Sequence, residues 1–290
     1  MTIDMPGTIG GAKLIFKPST GKITMYSTKI AIIGLGFVGG AIRDAIDGGG
    51  INLVIIDQDP ARGTHTYADI PGCDAVFVCV PSPQADDGTC DTSILESVLE
   101  KLRDYDGVII SKCTAPPNTY GRIGKLHKNL VHAPEFLTAA NASKDYINGS
   151  FSIIGGSVKA YMNEAARIIK ITQPLLATVD FCTIEEAALA KYAINSFLST
   201  KVVYMNELQE VAEAAGLDYD KIAFMVIRDK RIGHSHMRVP GPDGAYGFGG
   251  TCFPKDTSAL LKYAQSIGVN MNVLDAAVRK NTLLRLKDAK

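Results

Sequence analysis

The sequence predicts an α/β protein in which an N-terminal Rossmann-type, doubly wound and mostly parallel sheet precedes an all-helical domain with one long central helix. Three observations carry this. Short apolar, often β-branched runs alternate with helical patterns over much of the stretch between Lys29 and Cys182, the order that builds a parallel sheet with helices on its faces. The first of these runs leads directly into Gly34-Leu35-Gly36-Phe37-Val38-Gly39, a glycine turn in a strand–turn–helix setting. From Thr183 to Ala215 neither proline nor glycine occurs, which leaves room for a single helix about 50 Å long at 1.5 Å per residue. The expected divisions are an extension over 1–28, a dinucleotide-binding domain over 29–182 and a helical domain over 183–290.

Composition narrows the function classes. A chain of 290 residues has the length of about two domains. With 46% hydrophobic and 21% charged residues it can bury a sizeable core. Thirty basic residues balance thirty acidic ones, so a nucleic-acid surface is not expected, and any bound phosphate must be held by local groups. The six cysteines show no C-x-x-C pair and no zinc-ligand spacing. Met1–Gly11 lacks the features of a secretion signal, and no run approaches a membrane span. The expectation is a soluble protein of a reducing compartment, the cytoplasm, without a membrane partner.

In residues 1–28, Lys13–Lys17 and Ile23–Tyr26 flank the turn-like Pro18-Ser19-Thr20-Gly21, a pattern for a small hairpin. Lys29–Ile33 is the first core strand, Gly40–Ile46 a helix pattern, and Asn52–Ile56 a second strand ending at Asp57. Gly34 permits the tight turn, Gly36 lets a pyrophosphate approach the backbone, and Gly39 lets helix and strand pack closely. Leu35, Phe37 and Val38 complete that turn, whose helix N-terminus favours an anion. Asp57 suits the ribose hydroxyls and disfavours a 2′-phosphate, which favours NAD over NADP. Arg62 lies nearby in sequence and is of the type that serves a 2′-phosphate. Further strands are expected at Ala75–Val80, Val108–Ser111, Leu130–His132 and Ser152–Gly155, with a helix over Thr92–Leu102. Ligands of such sheets bind beyond the carboxyl ends of the strands. Three segments fall there: Val80-Pro81-Ser82-Pro83, Lys112-Cys113-Thr114-Ala115-Pro116 and His132-Ala133-Pro134-Glu135-Phe136-Leu137.

The long helix opens on Thr183-Ile184-Glu185-Glu186, a capping-box pattern, and stops at Gly216. Its length suggests a homodimer through the helix of residues 183–215. Lys191 and Asn195 are four apart and share a face of that helix. A helical segment over Tyr219–Ile227 precedes Arg228–Pro242, rich in basic residues, histidine and proline, and two helices are expected at Thr257–Gly268 and Asn272–Leu286. Between them lies Gly247-Phe248-Gly249-Gly250-Thr251-Cys252-Phe253-Pro254-Lys255-Asp256. Dense glycine lets a ligand approach the backbone, and a thiol beside a cation can act as a nucleophile. Alone, the ten residues also suit a buried structural cysteine in a tight turn.

Taken together, these motifs resemble the UDP-glucose/GDP-mannose dehydrogenase family, the UDP-glucose 6-dehydrogenase branch in particular. The resemblance runs from about Lys29 to Thr282 through Gly34–Gly39, Val80–Pro83, Lys112–Pro116, Pro134–Leu137, Lys191…Asn195, Arg231-Ile232-Gly233, Val239–Gly244 and Gly247–Asp256. It implies NAD as cofactor, a nucleotide-sugar as substrate, no metal, and oxidation of a sugar C6 alcohol to the acid, the reaction that forms UDP-glucuronate for polysaccharides. On that resemblance Cys252 forms a thiohemiacetal and then a thioester, while Lys191 and Asn195 support the oxyanion. Asp256 assists near the thiol, and Glu135 and Thr114 hold the base or water. Phe136, Leu137, Arg231, Phe248 and Gly249 contact the nucleotide-sugar.

The sequence departs from the family in places. An acidic residue usual four places beyond Glu135 is Ala139 here, and a usual basic residue is Phe151. Relatives continue beyond the equivalent of Lys290 into a second Rossmann-like domain, so a form lacking the C-terminal UDP-binding domain is expected. A β-hydroxyacid dehydrogenase, with one hydride transfer and no use for Cys252, is the alternative enzyme. A non-catalytic NAD- or nucleotide-binding remnant is the alternative outside catalysis.

Overall fold

The structure, a computed structural model, describes residues 12–16, 23–46 and 50–287. The chain forms two compact units, residues 1–82 with 91–191, and residues 83–90 with 192–290.

In the first unit, β1 (Ala12–Phe16) and β2 (Ile23–Ser27) pair as a separate antiparallel two-stranded sheet. The Pro18–Gly21 turn expected between them lies outside the described residues. The main sheet contains β3 (Lys29–Ile33), β4 (Asn52–Ile56), β5 (Ala75–Val78), β6 (Val108–Ser111), β7 (Leu130–His132), β8 (Phe151–Gly156) and β9 (Thr178–Cys182) in the order β4-β3-β5-β6-β7-β8-β9. All neighbours are parallel except β7 and β8. Residues of β5 and β6 are buried throughout, and those of β3 nearly so, which is why they read as continuous apolar runs instead of alternating ones.

The two-residue strand period sorts those side chains onto two faces. Ile30 and Ile32 pack in one core cluster with residues of α1 (Phe37–Ile46), α4 (Ala142–Ile147) and α5 (Lys159–Thr172). Ala31 and Ile33 pack in another with α2 (Ser93–Lys101) and α3 (Pro117–Leu126). Helices therefore cover both faces. The chain passes from β3 to β4 on one side and then to β5 on the other, so the strand order reverses between β3 and β5, where such sheets hold ligands.

The long helix α6 (Ile184–Ala214) has 31 residues, and its start follows the capping-box prediction. Thr183 N–H donates to Glu186 Oε2 at 2.7 Å, and Glu186 N–H donates to Thr183 Oγ1 at 3.2 Å. Its end is closed by Gly216 at φ +70°, with Leu217 N–H donating to Ala212 O at 2.8 Å. The division between units falls inside this helix, not at its start. Ile184 and Ala188 pack with the strands, whereas Tyr192 packs with Ala259, Leu260 and Leu274. Residues 83–90 also leave the sheet unit in which their sequence lies: Gln84 Nε2 and Gly88 O bond Ser258 Oγ at 3.1 and 2.8 Å.

The second unit also contains α7 (Tyr219–Val226), α8 (Phe253–Ser266) and α9 (Asn272–Lys287). Helix α8 starts four residues before the expected Thr257. Pro254 is compatible with this because it stands in the first turn, where no intrahelical N–H bond is lost.

Candidate active site

In the first unit the glycine turn follows β3. Gly34 has φ +92°, and a Cβ there would lie 2.8 Å from Cys79 O. A Cβ on Gly39 would come within 2.0 Å of Gly34 O, whereas one on Gly36 would meet nothing within 4 Å. Gly39 is thus required for packing, and the backbone at Gly36 is open to a ligand.

Asp57, just past β4, accepts from Leu35 N–H at 2.6 Å and Asp59 N–H at 2.9 Å. Burial would raise its carboxyl pKa, but these two donors and the Arg62 charge outweigh that and lower it. A carboxylate has about four acceptor positions, so acceptor capacity remains for hydroxyls. Arg62 is ion-paired with Asp59 at 3.4 Å and exposed. After β5, Val80 is half-buried and Ser82 buried.

Beyond β6 and β7, Thr114 is half-buried and Glu135 is held from several directions. Its Oε2 lies 3.1 Å from Lys112 Nζ, its Oε1 accepts from Phe136 N–H at 3.0 Å, and its carbonyl accepts from Lys191 Nζ at 2.5 Å. Lys191 Nζ also sits 5.1 Å from the Phe136 ring centroid, and Phe136 stacks on Phe151 at 5.1 Å. Leu137 packs towards the core. Lys191 is therefore bound to the Glu135 segment, and Phe151 extends an aromatic pair where the resemblance implies a cation.

In the second unit Cys252 is exposed and occupies the N-cap position of α8, without a side-chain capping bond. One turn on, Asp256 is 1% exposed, with Lys255 Nζ and Asn195 Nδ2 each at 2.5 Å from its carboxylate. Lys255, the cation of this loop in sequence, is paired with Asp256. Asn195 likewise commits an N–H to Asp256.

Two expected substrate contacts are placed differently. The Phe248 side chain is buried with Val203, Ala277 and Leu284 and meets Phe253 edge-on at 6.1 Å, so it serves as core. Gly249 is covered by Arg285, whose Nη2 would lie 1.6 Å from a Cβ there. Arg231 remains exposed and ion-paired with Asp229 at 2.5 Å. Cys113, the other cysteine in a ligand-edge segment, is buried with its thiol directed at Val78 O and Val80 O, 3.4 and 3.2 Å away.

Side chains with no role assigned from sequence shape the cysteine loop. Asn281 accepts from Phe248 N–H at 2.6 Å and donates to Phe248 O at 3.0 Å. Asn206 accepts from Gly247 N–H at 3.0 Å, and Arg285 Nε donates to Phe248 O at 3.0 Å. Asn206 stands eleven residues after Asn195, three helical turns on the same face of α6. That spacing was the available signal; Asn281 and Arg285 had none.

Comparison with known proteins places this geometry. Residues 62–173 match the UDP-glucose/GDP-mannose dehydrogenase family, NAD binding domain, and residues 185–283 match the central domain of the same family. The chain belongs to the UDP-glucose/GDP-mannose dehydrogenase family. It is 32% identical over 247 residues to UDP-glucose 6-dehydrogenase TuaD of Bacillus subtilis, covering 80% of this chain and 51% of TuaD. The structure of a UDP-glucose dehydrogenase from Pyrobaculum islandicum superposes with a TM-score of 0.75 at 25% identity, covering 93% of this chain and 70% of that one. A Mycobacterium tuberculosis 3-hydroxyisobutyrate dehydrogenase shares the fold, with a TM-score of 0.67 at 18% identity and coverage of 87% and 91%. The chain spans about half the length of curated relatives such as TuaD.

The family's N-terminal domain binds NAD, and the residues here fit that cofactor. The matched segment starts after Gly34–Gly39 and Asp57, so the fit rests on their geometry: an open backbone at Gly36 and a carboxylate fixed at the end of β4. Among the described residues no cluster of three or more His, Cys, Asp or Glu is placed to hold a metal ion. No described helix is long and apolar enough to cross a membrane.

Proposed function

We propose that this protein oxidises the C6 alcohol of a nucleotide-sugar to the acid, with UDP-glucose as substrate and UDP-glucuronate as product. The observation that supports this most is Cys252, an exposed thiol at a helix N-terminus one turn before the buried Asp256. A single alcohol oxidation has no use for such a thiol.

NAD, held by the glycine turn, would supply the hydride acceptor, one molecule for each of the two oxidations. Glu135, with Thr114 and a water, takes the hydroxyl proton in the first. In the second, Cys252 Sγ adds to the aldehyde carbon, and Lys191 and Asn195 stabilise the oxyanion. Loss of a hydride from that adduct leaves a thioester on Cys252. Water, oriented by Asp256, then releases the acid and frees the thiol. Arg231 and Phe136 are assigned to the nucleotide-sugar. The turn Gly34–Gly39 (Leu35, Phe37 and Val38 within it), Asp57, Arg62 and Val80–Ser82 are assigned to the dinucleotide.

The similarity to UDP-glucose 6-dehydrogenases favours the glucose substrate. The free thiols suit work in the cytoplasm. The expected stoichiometry is two NADH per UDP-glucose consumed. Cys252→Ser is expected to produce no acid, stopping at the aldehyde level. One NADH per sugar in the wild type, or full activity in Cys252→Ala, would instead favour the single-hydride reading.

A further inference from the structure

We propose that Lys112 is a positioning residue for proton removal, holding the Glu135 carboxylate where it can take the C6 hydroxyl proton. This rests on the reading of Glu135 as the base.

The pair is nearly sealed from solvent: the Lys112 side chain is 2% exposed and that of Glu135 11%, with Nζ and Oε2 3.1 Å apart. Stability alone does not account for it, because apolar residues of similar volume usually serve a core as well as a buried ion pair. What the pair does provide is orientation. Lys112 follows directly on β6, and its own N–H is bonded to Val78 O at 2.9 Å. Its ammonium also lies 5.6 Å from the centroid of the Tyr146 ring, itself fully buried.

Glu135 is therefore gripped on one oxygen by a cation anchored to the sheet and on the other by the Phe136 N–H, 3.0 Å away. With one bond on each oxygen, the remaining lone pairs of the carboxylate are left to the substrate side. In the step itself the C6 hydroxyl O–H bond breaks as the C6 hydride leaves to the bound dinucleotide. The proton goes to Glu135, directly or through one water. Lys112 takes no part in the proton transfer itself.

The test separates the two oxidations. Lys112→Met, Lys112→Arg and the double variant Lys112→Met/Glu135→Gln are compared with the wild type in single-turnover NADH formation. The substrates are UDP-glucose and its 6-aldehyde. The aldehyde enters after the proton has gone, because sulfur addition gives an oxyanion held by Lys191 and Asn195.

Lys112→Met is expected to slow the alcohol reaction about 10²–10³-fold, the usual worth of a placed general base. Its KM for UDP-glucose and its aldehyde burst should stay within about threefold of wild type. Lys112→Arg should recover part of the alcohol rate. The double variant should regain the melting temperature lost in Lys112→Met, since no charge is then left unpaired, without regaining alcohol oxidation. Equal losses on alcohol and aldehyde would assign Lys112 a structural role and overturn the proposal. An unchanged alcohol rate would overturn it too. A wild type that oxidises neither substrate would overturn the reading beneath it instead.

Discussion

His132 ends β7 fully buried, stacked on Tyr120 with ring centroids 4.0 Å apart and Nδ1 3.1 Å from Ser111 O. Burial disfavours its charged form and drives its pKa down to about 3, outweighing the hydrogen bond to Ser111, with Lys112 and Lys191 adding to the fall. The unfolded chain binds this proton near pH 6.5 and the folded one only near 3. Stability from the neutral ring is therefore complete above 6.5 and declines as pH falls towards 3, by up to about 1.4 kcal/mol per pH unit. His132→Phe keeps a ring on Tyr120, and Ser111 O retains the Ala133 N–H. Urea midpoints measured from pH 7 to 4 should fall more steeply in the wild type than in this variant; parallel curves would remove His132 as the cause.

At the scale of elements, the β3–turn–α1 unit depends on a missing methyl group. A Cβ on Gly39 would sit 2.0 Å from Gly34 O, a backbone atom that cannot rotate aside. Gly39→Ala should push α1 away from the turn, costing about 1–3 kcal/mol and weakening NAD binding, measured by calorimetry. Gly36→Ala, whose methyl meets no protein atom within 4 Å, should weaken NAD with little change in melting temperature. Equal destabilisation by both would contradict this division of labour. The same scale explains the cysteine loop: Asn206 from α6 and Asn281 and Arg285 from α9 hold its backbone by side-chain bonds.

For the molecule as a whole, α6 is longer than one core requires and carries exposed Phe197 (69%), Tyr204 (62%) and Val211 (62%) at seven-residue intervals. A repeat of seven keeps one stripe along a helix, and the homodimer expected through residues 183–215 would cover it. Tyr204→Glu places a charge in that stripe. Light scattering should show a dimer for the wild type and a shift to monomer for Tyr204→Glu; two identical masses would count against this face.

Much of the molecule was legible in sequence because its signals are local. Strands of a parallel sheet are short apolar runs, a capped helix announces itself by Thr183 and Glu186, and a dinucleotide turn by three glycines. The residue types expected for the chemistry, Cys252, Asp256, Lys191, Asn195 and Glu135, were legible for the same reason. What each of them touches was not. Lys255 was read beside the thiol but is paired with Asp256, Phe248 was read against a ligand but fills the core, and Lys112 had no role until Glu135 came within 3.1 Å. The sequence by itself determined the fold class and the family resemblance, and with it the cysteine proposed as nucleophile, each encoded in residues close along the chain. Only the tertiary structure decided how charges are paired and which glycines admit a ligand, because burying an ion or a methyl group depends on atoms brought together from distant segments.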